Sequence, residues 1–308
     1  MYFTAAVEGS AASTCVTVTR SRVGIRFLSI RSVAAAAAAA LVGGATIMGL
    51  TTGTASAQPG CPDVHWIGAA GSGERTPADI AADNGMGRVV NASYRDFAQL
   101  VQQSGRTITA EAVNYPAVPV PADGGAMEWL GFMGSVDTGA TALGAQYAAF
   151  IAQCPTTQVV LAGYSQGAMV VHRNLAALEP SPNLAAALLV ADGDRLPADP
   201  TLNLGSVSAV PGRGKGVAQD WPILAHAPAP LTPAMGARTI SVCDLGDAVC
   251  DYDPDAEDAE NPAAVAVHTS YARTQSSVDA WVAPLFRLVQ QRPIAIPDAN
   301  PVQVPPGS

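Results

Sequence analysis

The sequence predicts an α/β fold: a mostly parallel sheet with helices on both faces. Three observations lead there. Short apolar runs alternate with stretches of helical periodicity, glycine, proline or polar residues bound each run, and a Gly-x-Ser-x-Gly turn joins one run to one helix. Five runs read as strands of one central sheet, at residues 63–69, 109–113, 158–162, 186–191 and 239–242.

The helices lie between and after them. Val90, Tyr94, Phe97 and Val101 recur at three- and four-residue steps, as do Val136, Ala140, Leu143, Tyr147 and Phe150. Each series makes one apolar face of an amphipathic helix. Ala168, Val171, Leu175 and Leu178 repeat the pattern after the third strand, and Val278, Trp281, Leu285 and Leu288 mark a final helix that packs back on the sheet.

The ends of the chain read differently. Arg20, Arg22, Arg26 and Arg31 precede an apolar run at 33–50 and then Ala55-Ser56-Ala57, the pattern of a secretory leader with a small-residue cleavage site. An uncleaved membrane anchor is the competing reading, although the run is mostly alanine and glycine and only weakly hydrophobic. The expected organisation is a leader at 1–57, one domain at 58–291 and a tail at 292–308 that holds five prolines and no periodicity. Within the domain, 197–235 is rich in glycine and proline and longer than a usual connection, so it reads as a substrate flap or a surface insertion.

Charge and cysteine content narrow the class. The 308 residues carry a net charge of −9, and removing a leader with four arginines and one glutamate leaves the rest more acidic. An acidic surface repels phosphate backbones, which excludes nucleic acid and leaves neutral or apolar molecules as clients. Cys15 falls in the leader, and Cys61, Cys154, Cys243 and Cys250 form an even set bound for an oxidising compartment, so two disulfides are expected. Three pairings are possible. Cys243 and Cys250 are close enough to clip one loop, which leaves Cys61 for Cys154. A zinc site is disfavoured, because no Cys-x-x-Cys pair occurs.

The chemistry centres on Gly163-Tyr164-Ser165-Gln166-Gly167. A serine hydroxyl is a poor nucleophile at neutral pH, so it needs a sharp strand-to-helix turn that presents it to a histidine and to backbone amides. Four histidines are available. His65 lies on the first strand, His172 on the helix after the turn and His226 in the insertion. His268 follows every strand and precedes the last helix, in the order nucleophile, acid, base of this architecture, which makes it the leading base ahead of His226. The leading acid is Asp247, inside the loop that a Cys243–Cys250 bridge would rigidify. Asp192 and Asp194 compete from the end of the fourth strand, Asp244 and Asp251 flank the same cysteines, and the acidic run at 253–260 reads as a solvated loop. The amide of Gln166 supplies one oxyanion donor, and the second comes from Gly71-Ser72-Gly73-Glu74, through the Ser72 amide and hydroxyl.

With these residues assembled, the chain resembles the cutinase family of serine esterases, including the cutinase-like hydrolases secreted by actinobacteria. The resemblance covers most of the domain. It rests on Gly-Tyr-Ser-Gln-Gly, on Cys243-Asp244-Leu245-Gly246-Asp247-Ala248-Val249-Cys250 as the acid loop, and on His268 with Tyr271. It implies an α/β-hydrolase fold, a three-layer sandwich with a five-stranded mainly parallel sheet. It also implies a Ser165–His268–Asp247 triad, an oxyanion hole at Ser72 and Gln166, and disulfides Cys61–Cys154 and Cys243–Cys250. Two departures, the insertion at 197–235 and Ala70 where an arginine commonly precedes the glycine, favour smaller acyl esters over the polymer cutin. The expected protein is a secreted or envelope-associated esterase of acyl esters, lipids or cutin-like polyesters. It is expected to use no metal or cofactor and to act as a monomer without an obligate protein partner. Competing readings are an acyltransferase, thioesterase or phospholipase of the same chemistry, and a non-catalytic envelope protein on the same scaffold.

Overall fold

A computed structural model describes residues 60–121, 125–221, 230–256 and 261–292. The expected leader or anchor, His226 and the tail from 293 onward lie outside the described residues. Among the described residues, no helix is long and apolar enough to cross a membrane.

Six strands form one parallel sheet in the order β2-β1-β3-β4-β6-β5. They are β1 (Val64–Ala69), β2 (Ile108–Ala112), β3 (Gln158–Tyr164), β4 (Leu184–Val190), β5 (Leu202–Leu204) and β6 (Thr239–Val242). This corrects the expected five strands to six. The additional strand, β5, arises inside the stretch read as an insertion and pairs with β6 at the sheet edge. Three residues are too few to show a period in sequence.

Helices cover both faces. On one side pack α2 (Arg88–Gln103) and α7 (Gln275–Gln291), and on the other α3 (Ala126–Gln153) and α4 (Gln166–Leu178), while α1 (Pro77–Asp83), α5 (Pro233–Gly236) and α6 (Pro262–His268) are short. Alternation along β3 builds the two cores: Val160, Ala162 and Tyr164 join the α2/α7 side, while Val159 and Leu161 join the α3/α4 side. Large side chains such as Trp66, Phe97, Leu143 and Leu175 are fully buried, and each contributes about 1.5–3 kcal/mol by leaving water.

Register decides what meets at the carboxyl edge. Ala69 pairs with Gly163, Tyr164 with Val190 and Val190 with Val242, so the loops after β1, β3, β4 and β6 emerge side by side. In parallel α/β sheets that edge carries the ligand crevice.

The described part of 197–235 is stitched down. The buried Arg195 donates to Ser241 Oγ at 3.1 Å, to Asn203 Oδ1 at 2.7 Å and to the carbonyls of Arg213 and Gly214. Disulfides link Cys61 to Cys154 and Cys243 to Cys250, with Cα separations of 5.5 and 6.0 Å.

Candidate active site

Ser165 stands between β3 and α4 with φ 55° and ψ −120°. A non-glycine residue there is strained by roughly 1–3 kcal/mol, which the surrounding structure must over-determine. Close packing does so: a Cβ on Gly163 would run into the Gly167 carbonyl, and one on Gly167 into the Ala69 carbonyl. The Ser165 amide donates to Val190 O at 2.9 Å and fixes the turn to β4.

His268 ends α6 (Pro262–His268), and its Nε2 lies 3.0 Å from Ser165 Oγ. Its Nδ1 lies 3.0 and 3.1 Å from the two carboxylate oxygens of Asp247. A carboxylate only accepts, so the proton belongs on Nδ1, and the Nε2 lone pair faces the serine hydroxyl. Asp247 is fully buried, and its Oδ1 also accepts the amides of Val249 at 2.7 Å and Cys250 at 3.0 Å. The short loop closed by Cys243–Cys250 therefore orients the carboxylate through its own backbone.

After β1, Gly71-Ser72-Gly73-Glu74 folds as a tight turn, with the Glu74 amide donating to Gly71 O at 3.2 Å and the Gly73 amide to Ala117 O at 2.7 Å. The buried Tyr115 hydroxyl donates to Ala70 O and anchors the start of this turn. Ser72 Oγ is buried and has no hydrogen-bond partner among the described residues. Gln166 opens α4, so its amide has no acceptor within the helix. The Gln166 side chain is occupied elsewhere: it accepts from Ser135 Oγ at 3.1 Å and donates to Val118 O at 3.2 Å.

Among the described residues, the alternative bases and acids bond to groups other than Ser165. His65 bonds Thr109 Oγ1 at 2.8 Å and Glu111 at 3.1 Å and stacks on Phe150. His172 pairs with Asp192 at 2.6 Å, and Asp194 holds Arg173 at 2.7 Å. Asp244 accepts from the Ser206 amide at 2.8 Å, and Asp251 binds Arg213 and the amides of Gly214 and Gly246.

The family model for cutinase matches residues 60–285. The chain belongs to the cutinase family. Membership makes this cutinase-family protein a carboxylic ester hydrolase. It is 31% identical to a Mycobacterium tuberculosis protein named phospholipase Culp4 over 194 residues, 63% of this chain and 69% of that one. It is 37% identical to a cutinase of Kineococcus radiotolerans over 110 residues, which span 36% of this chain and only 30% of that protein. Among solved structures, the catalytic core of a Trichoderma reesei acetyl xylan esterase superposes with a TM-score of 0.50 at 22% identity, covering 76% of this chain and all of that one. That likeness is one of fold.

Sequence reasoning missed two contributors to this cutinase-family site. Tyr164 donates from its hydroxyl to His268 O at 2.8 Å, and its ring stacks on the imidazole at an interplanar angle of 21°, with centroids 5.2 Å apart. Arg88, on α2, donates to Thr269 O and Tyr271 O just beyond the histidine. The only sequence signal for Tyr164 was its place inside the pentapeptide, and Arg88 had none.

Proposed function

We propose that the protein is a secreted serine esterase that hydrolyses acyl esters through an acyl-enzyme on Ser165. The observation that carries this reading is the chain of contacts from Ser165 Oγ through the His268 ring to Asp247, at 3.0 Å and 3.0–3.1 Å. Ser165 Oγ attacks the acyl carbon as His268 Nε2 takes its proton, and Asp247 stabilises the imidazolium that results. The oxyanion is received by the amides of Gln166 and Ser72 and by the otherwise unpartnered Ser72 hydroxyl. Collapse breaks the ester C–O bond, and His268 returns the proton to the departing alcohol. Water then attacks the acyl-enzyme with His268 again as base, and the acid leaves as Ser165 regains its proton.

Apolar flanks support acyl substrates. Trp129, Phe132 and Ser135 follow one another along α3 toward Gln166, and Trp221 packs edge-on against Trp129 at 5.0 Å. Met127 and Leu130 on the first turns of α3 are 76% and 54% exposed, a surface suited to lipid chains. The two disulfides fit an oxidising compartment.

The test is turnover of p-nitrophenyl acyl esters of graded chain length, with a phospholipid and a polyester alongside. Ser165→Ala should lose at least about a thousandfold in kcat while keeping its circular dichroism spectrum. Undiminished turnover in that variant would sink the proposal. Added alcohols that divert product to new esters would identify an acyltransferase, and absence of fluorophosphonate labelling at Ser165 would favour a non-catalytic protein.

A further inference from the structure

We infer that Glu74 and Arg88 form a bracket that holds the oxyanion turn and the histidine loop at a fixed separation across Ser165, both as positioning residues. The inference rests on the acyl-enzyme reading above. Glu74 is half-buried, and its two carboxylate oxygens are divided between two elements. Oε2 accepts the Gly71 amide at 2.8 Å, inside the oxyanion turn, and Oε1 accepts the Arg88 amide at 3.3 Å, at the first residue of α2. The N-cap of that helix is Gly87, which offers no side-chain cap, so the Glu74 carboxylate takes the capping role. A Cβ on Gly87 would run into that carboxylate, so the position admits only glycine as long as Glu74 stays in place.

The other arm is the Arg88 guanidinium. It donates to Tyr271 O at 2.8 Å and Thr269 O at 3.3 Å, carbonyls three residues and one residue beyond His268. One residue thus receives Glu74 on its backbone and grips the histidine loop with its side chain. The space between the arms is filled: a Cβ on Gly71 would meet the Tyr164 ring at 2.6 Å and Glu74 Oε2 at 2.9 Å, and the same ring stacks on His268. A shift of the turn is therefore transmitted both through the Tyr164 ring and through Arg88. The two backbone donors meet different oxygens of Glu74, and a primary amide in the same place would keep only one of those acceptors. The far side of the turn is held independently by Tyr115 and Ala117, so loss of Glu74 loosens the turn without dissolving it.

Steady-state kinetics of the full chain on a p-nitrophenyl acyl ester test the bracket. Glu74→Gln and Arg88→Met should each lower kcat by about tenfold to a hundredfold with KM held within about twofold, the signature of misplaced groups rather than lost substrate binding. Arg88→Lys, able to reach one carbonyl, should recover part of the loss. A kcat within about twofold of wild type in both variants overturns the inference, as does a loss carried wholly by KM. Arg88 is exposed and its substitution leaves the core intact, so that pair of variants decides the matter if Glu74→Gln does not fold. Ser165→Ala, run in parallel, reports failure of the underlying reading separately, as turnover retained in that variant.

Discussion

Tyr164 occupies a variable position of the pentapeptide, yet its side chain makes three contacts within the site. It lies against Gly71, stacks on His268 and sends its hydroxyl to the His268 carbonyl. Burial drives the phenol pKa well up, so the hydroxyl remains a donor throughout the working range of an esterase. The two contributions can be separated. Tyr164→Phe keeps the stack and deletes one hydrogen bond, at a cost of about 1 kcal/mol in stability and only a few-fold in kcat. Tyr164→Leu removes the stack as well and should lower kcat by a further order of magnitude, roughly, as the imidazole gains freedom to turn. Equal kcat values for the two variants, measured on one ester at saturating concentration, would show that the ring does not position His268.

At the level of elements, the acid loop between Cys243 and Cys250 is braced from outside as well as by its disulfide. The Val207 amide donates to Cys243 O at 3.2 Å, the Val217 amide to Val249 O at 2.8 Å, and the Leu245 amide to Ser206 Oγ at 2.8 Å, each with one partner in the stretch that reads in sequence as a flap or insertion. Asp251 closes this brace: its carboxylate, 2% exposed, accepts from Arg213, the Gly214 amide and the Gly246 amide. Burial works against the charged form, but the Arg213 hydrogen bond and the two amides outweigh it and hold the carboxyl below the usual range. Asp251→Asn should cost about 2 kcal/mol and lower Tm by about 6 °C; a thermal scan at neutral pH with Tm within about a degree of wild type would refute this. The same stretch marks where the sequence stops being readable. The five anticipated strands carry apolar runs because they lie inside the sheet or pack under a helix, whereas β5 has three residues, one of them Leu202 at 44% exposure, and no period to detect. Ser165, Asp247 and His268 can be picked out because a glycine-flanked turn, a cysteine-closed loop and chain order each mark a place. The Arg88 contacts reach across 181 and 183 residues, and only the packing of α2 beside the histidine loop creates them.

Across the whole described domain, several buried charges gather around His172 on α4. Its Nδ1 meets Asp192 at 2.6 Å and its Nε2 lies 3.7 Å from Asp199, while Asp199 also accepts the Leu231 amide at 2.9 Å. Asp192 accepts the Asp194 amide at 3.0 Å, and Asp194 holds Arg173. One cluster thereby joins α4, the loop after β4 and the chain at Leu231. Burial pulls the imidazolium pKa down, but the charge and hydrogen bond of Asp192, with the charges of Asp194 and Asp199, prevail and push it up to about 9. An unfolded histidine titrates near about 6.5. Because the folded value is the higher one, the stabilisation is complete below the unfolded pKa, declines between the two values and is gone above about 9. Its size is at most about 3 kcal/mol. The difference in unfolding free energy between wild type and His172→Gln should therefore shrink as pH rises from near neutrality past 9, where His172 becomes neutral in the folded protein too. Comparing the two proteins at each pH cancels the titration of groups remote from the cluster. Urea unfolding of both across that range is the measurement, and a difference that stays constant would show that His172 is not held as a cation by its three carboxylates.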